Sequence, residues 1–74
     1  MFFTDKKYKF NVTGMHCNHC KASVEKAVNE IEGVKACVAD PKKNSLVVKA
    51  DKNVTGIAAA VISAVERLGF KASL

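Results

Sequence analysis

The sequence predicts an α+β sandwich: a four-stranded antiparallel sheet with two helices packed on one of its faces. Three observations predict it. Lys7–Thr13 alternates strictly, with Tyr8, Phe10 and Val12 in one phase and Lys7, Lys9, Asn11 and Thr13 in the other, the pattern of a half-buried strand. Two later stretches space their apolar residues at helical intervals, Cys20, Val24, Ala27, Val28 and Ile31 in one and Ile57, Val61, Val65 and Leu68 in the other. Between those helices lie two short β-rich runs separated by turn residues.

Each element follows in order. Gly14 breaks the first strand, and the first helix runs from about His19 to Glu30, with Gly33 placed to stop it. Val34–Ala39 and Ser45–Ala50 read as the two strands of a hairpin. Asp40-Pro41-Lys42-Lys43-Asn44 turns between them, because proline fixes its own φ while Asp and Asn bond locally to the backbone. Thr55 is expected to cap the second helix, Gly56–Leu68. Gly69 ends that helix, and Phe70–Leu74 forms a short last strand.

The resulting β-α-β-β-α-β order is that of a ferredoxin-like sandwich, which buries both helical stripes against one sheet. Connectivity then predicts geography: the Gly14–Cys20 loop, the Asp40–Asn44 hairpin and the Leu68-Gly69-Phe70 turn should share one end of the molecule.

With 74 residues the chain is expected to form one domain, 1–74, with its core from about residue 7. No apolar run approaches the roughly 20 residues of a membrane span, and the first residues lack a signal peptide's apolar stretch. A multidomain enzyme, a membrane-inserted protein and a secretory precursor are thus disfavoured, and a small binding module is expected. Twelve Lys and Arg against seven Asp and Glu give a net charge of +5, a surface attracted to an acidic partner.

The chain has three cysteines, an odd number that does not suit a secreted disulfide scaffold. Cys17 and Cys20, two residues apart, read as a metal or redox pair in a reducing compartment, and a cytoplasmic location is expected. They lie in Gly14-Met15-His16-Cys17-Asn18-His19-Cys20, a strand-to-helix loop. Unpaired backbone N–H groups and the helix dipole favour anions there, and hence the thiolate form that binds metals and attacks disulfides. Thiolates select Cu(I), Zn(II) and other thiophilic ions over Mg or Ca. Structural zinc wants four protein ligands, usually from two separated pairs, whereas one pair in an open, low-coordinate site suits a Cu(I) ion that is carried and released.

Two other classes compete. A thiol–disulfide oxidoreductase is suggested by Cys17-Asn18-His19-Cys20, but such domains are longer, set an aromatic before the pair and a proline opposite it; here His16 precedes the pair and the single proline is in the hairpin. RNA binding is suggested by the element order and the charge, but Ser45–Ala50 has no aromatic on which a base could stack, so no nucleic-acid partner is expected.

Gly14-Met15-x-Cys17-x-x-Cys20, with Val24, Ala27 and Val28 in the first helix, Gly33-Val34 after it and Leu68-Gly69-Phe70 before the last strand, resembles the heavy-metal-associated domain over about Tyr8–Leu74. That family includes small bacterial copper chaperones, N-terminal metal-binding domains of copper-transporting P-type ATPases, and mercury-binding relatives. The resemblance implies Cu(I) held by Cys17 and Cys20, with Zn(II) or Hg(II) as the other candidates, and handed by ligand exchange to the metal-binding domain of a copper-transporting ATPase. It implies a carrier rather than an enzyme, with no catalytic residue, and a monomer or a homodimer bridged by the metal. Met15 corresponds to the family's buried methionine and Phe70 to the residue beside the metal, where soluble chaperones often carry Tyr and pump domains Phe. His16 stands where Thr or Ser is common and where zinc-pump domains often place an acidic residue beside the pair; it is expected to face solvent, and His19 to neighbour the thiols rather than ligate. Lys35 shares the phase of Cys37 and argues that this thiol faces solvent, whereas the family's inward positions place it in the core; a core position without a metal role is expected.

Overall fold

The computed structural model describes residues 5–16 and 18–74. The elements are β1 (Asp5–Thr13), α1 (Asn18–Asn29), β2 (Val34–Asp40), β3 (Ser45–Asp51), α2 (Ile57–Arg67) and β4 (Lys71–Ser73), in the expected order. The sheet runs β2-β3-β1-β4 with every neighbouring pair antiparallel.

Period-two alternation on the strands and period-3.6 spacing on the helices point the same residues inward. Phe10 and Val12 of β1, Ala39 of β2 and Leu46, Val48 and Ala50 of β3 are buried on one face of the sheet. Val24 and Val28 of α1 and Ile57, Val61 and Val65 of α2 close over them. Each such valine, leucine or phenylalanine contributes about 1.5–3 kcal/mol by leaving water, so this layer carries the fold. Tyr8 packs at the margin of the core, 6.3 Å from the Phe10 ring, with the Lys6 ammonium 5.1 Å from its own ring centroid.

Two expectations need correction. Thr55 does not cap α2: the N-cap position is Gly56, at φ 78°, with no side-chain cap bond. A left-handed φ strains any residue with a Cβ, so the chain enters α2 through a glycine. Leu68 lies just past the helix as its C-cap and is 41% exposed, so the buried stripe stops at Val65.

β2 also carries a feature absent from its alternation. Val34 pairs with Ala50, but Ala36 already pairs with Lys49 and Cys37 with Val48, so Lys35 is an extra residue opposite the gap. This β-bulge re-phases the strand: Val34 before it and Cys37 after it both pack against the core, while Lys35 and Ala36 are exposed. The conflict between Lys35 and Cys37 is thereby resolved in favour of the core.

Candidate metal centre

The end of β1 is tied to the hairpin, since the Val12 N–H donates to the Asn44 carbonyl at 2.8 Å. Asn44 reaches that position with φ 51°, and Asp40 Oδ1 shapes the turn before it by accepting the Lys42 N–H at 3.0 Å. On the other flank Gly14 lies against Phe70: at φ 104° it leaves space where a Cβ would stand 3.0 Å from the Phe70 ring. The three connections therefore meet at one end of the molecule, as the topology requires.

Beyond Gly14 the chain first turns inward. Met15 is 3% exposed and belongs to the core cluster, which pins the chain immediately before the thiol pair. Phe70 is half-buried against the same core. His16, Asn18 and His19 are exposed, and Cys20, in the first turn of α1, is half-buried with its flank on the core. Cys17, the first member of the expected pair, lies outside the described residues. Among the described residues no three His, Cys, Asp or Glu side chains gather as a metal-holding group. An open groove of about 440 Å³ runs from His16, Asn18 and Lys21 to Val38–Lys42, so loop and hairpin line one surface.

Glu25 fixes the helix that carries Cys20. Its Oε2 accepts the Ala39 N–H of the edge strand β2 at 2.9 Å and the Lys21 ammonium at 3.0 Å, and its own carbonyl accepts the Cys37 thiol at 3.4 Å. Burial pushes the Glu25 carboxyl up, but the Ala39 N–H and the Lys21 ammonium outweigh it and hold its pKa below the usual value. Only the Lys21–Glu25 half of this arrangement had a local signal, the i,i+4 spacing on one helix face.

Cys37 is of another kind. Burial, joined by the negative charge of Glu25 and only partly opposed by Lys21, pushes its thiol up to about 11. It is held as a neutral donor to the Glu25 carbonyl, away from the Gly14–Cys20 loop along β2.

The heavy-metal-associated domain model matches residues 9–71. The copper chaperone CopZ of Enterococcus hirae is 44% identical over 69 residues, covering 92% of this chain and 97% of that protein. Among solved structures, a CopZ metallochaperone superposes with a TM-score of 0.86 at 29% identity, covering 92% of this chain and all of that one. The N-terminal domain of a potential copper-translocating P-type ATPase from Bacillus subtilis, in its Cu(I)-loaded state, gives a TM-score of 0.83 at 30% identity, covering 95% and 86% of the two chains.

Proposed function

The chain belongs to the heavy-metal-associated domain family, and from that premise we propose that it is a Cu(I) carrier acting as one unit over residues 1–74 in the cytoplasm. Cys17 and Cys20 take the ion as two thiolates, and it is cargo, handed to the metal-binding domain of a copper-transporting ATPase. The observation that supports this reading best is the build of the loop end. Met15 and the Gly14–Phe70 contact anchor the chain just before the thiol pair, and Cys20 stands in the first turn of a helix braced by Glu25. Copper as the cargo is supported by the CopZ copper chaperone relative, 44% identical over nearly the whole of both chains.

Such a site holds an ion without enclosing it. A partner thiolate adds to the ion, one of the two resident sulfurs leaves, and a second exchange completes the transfer. One metal–sulfur bond forms for each that breaks, nothing is oxidised or reduced, and the ion leaves chemically unchanged, which is carriage rather than catalysis. Lys21 and Lys42 line the groove that joins the loop to the hairpin, and they would steer an acidic partner domain in a salt-dependent manner.

Titration with Cu(I) under reducing conditions tests the reading, with Zn(II) and Hg(II) as competitors. Cys17→Ser and Cys20→Ser should each abolish tight binding while the far-UV spectrum is unchanged, and Cys37→Ser should bind as the parent does, at a cost of about 1 kcal/mol in stability. Stoichiometric Cu(I) binding by both loop variants, or tighter retention of Zn(II) than Cu(I), would overturn it. Catalytic turnover in an insulin-reduction assay without tight metal binding would identify an oxidoreductase instead.

A further inference from the structure

The sheet has a second face, opposite the helices, and the pairing register fixes what stands on it. Lys7 lies directly across from Lys49, and Lys9 across from Val47, which is itself opposite Val38 on the next strand. Lys71 continues the face at the β4 edge, opposite Thr13. All four lysines are exposed, and Val38 is 60% exposed.

The carboxylates of this face sit at its ends and are already engaged. Asp5 has the Lys35 ammonium 2.6 Å away, with Lys49 at 4.0 Å. Asp51 accepts the Asn53 N–H at 2.9 Å, and Asp40 accepts that of Lys42 at 3.0 Å. The centre is left as a cationic grid around two valines. Like charges directly opposite each other on adjacent strands destabilise a sheet, so the Lys7–Lys49 pairing is a cost that solubility alone does not require.

The type of cation indicates the kind of surface that this face fits. Specific protein interfaces concentrate their energy in Tyr, Trp and Arg, and single-stranded nucleic acid needs aromatic rings on which bases stack. This face has neither: its cations are lysines, and the chain's single arginine, Arg67, is on α2. Lysine is a flexible point charge that contacts a diffuse anionic surface while its stem lies along apolar neighbours. We propose that the open face of the sheet, centred on Lys7, Lys9 and Lys49 around Val38 and Val47, docks this protein reversibly on an anionic lipid surface, with the ammonium groups on headgroup phosphates and the valines at the acyl boundary. Nothing is inserted, and the loop that follows Thr13 stays at the rim of the contact. The inference is independent of which ion the thiols carry.

Co-sedimentation with vesicles tests it, using phosphatidylcholine alone and phosphatidylcholine with about one third phosphatidylglycerol at low salt, where surface charge is least screened. Binding to the anionic vesicles only, reversed by salt, is expected. The triple variant Lys7→Gln, Lys9→Gln, Lys49→Gln should bind about a hundredfold more weakly, whereas Lys26→Gln, Lys42→Gln, Lys43→Gln, with the same change in net charge, should bind nearly as the parent does. In the unmodified protein, anionic vesicles should protect Lys7, Lys9 and Lys49 from acetylation while Lys26 stays reactive. Equal loss in the two triple variants, binding without an anionic preference, or uniform lysine protection would each overturn the proposal. So would tighter binding of polyglutamate than of vesicles to the same three lysines, which would make the face a protein-docking surface.

Discussion

The carboxylate of Glu25 on α1 accepts the backbone N–H of Ala39 on β2 at 2.9 Å. Ala39 is buried and β2 is an edge strand, so that N–H has no strand neighbour to receive it. Glu25→Ala should cost about 1–3 kcal/mol, since it strands a donor bonded to a charged acceptor. Glu25→Gln should cost less, because an amide oxygen still accepts the bond. The carboxyl is held below its ordinary 4.5, so its contribution is full above that pH and is lost as pH falls through the folded value. Urea unfolding of parent and alanine variant at neutral and acid pH checks this: the gap should close in acid, and an unchanged gap would refute the assignment.

Burial, joined by the negative charge of the same Glu25, sets the behaviour of Cys37. With its thiol pushed up to about 11 from 9.0, Cys37 in the folded protein should react with iodoacetamide near neutral pH about a hundredfold more slowly than in urea. Peptide mapping after timed labelling measures this. Its proton is held more tightly in the folded state, so the matching stability is present below about pH 9 and is lost as pH rises through about 11. Comparable labelling rates in the folded and unfolded chains would mean that the thiol is not held as described.

Gly14 combines a left-handed φ with close approach to an aromatic ring. Gly14→Ala should lose about 1–3 kcal/mol, part from backbone strain and part from the Phe70 contact. Phe70→Leu in the same chain separates the two: the double variant should recover the steric part and retain the strain. Full additivity of the two losses in urea unfolding would show that the residues do not meet.

Much of this architecture is legible in the sequence because it rests on local periodicity. Phe10 and Val12, Val24 and Val28, and Ile57, Val61 and Val65 announce their burial by spacing, and connectivity alone brings Gly14, Asn44 and Phe70 to one end. What could not be read depends on contacts between residues distant along the chain. Nothing near Glu25 signals that its carboxylate reaches Ala39. The conflict between Lys35 and Cys37 was visible, but alternation has no way to express an extra residue. At α2 a threonine with good capping chemistry stood beside a glycine, and backbone conformation prevailed over side-chain preference. At the candidate site, spacing singles out Cys17 and Cys20, and resemblance singles out Met15 and Phe70. Met15 is buried, as that resemblance implies, Phe70 lies against Gly14, and Cys20 falls in the first turn of α1.

The supernumerary residue at Lys35 also says where this protein could change length. Deleting it would leave Val34 beside Ala36 in unbroken alternation, with both still opposite Ala50 and Lys49. Removal of any residue between Ala36 and Ala39 would instead turn part of the strand inside out. The slack that lets β2 lose a residue without re-phasing its neighbours is therefore stored at Lys35, at the end of the strand away from the hairpin turn.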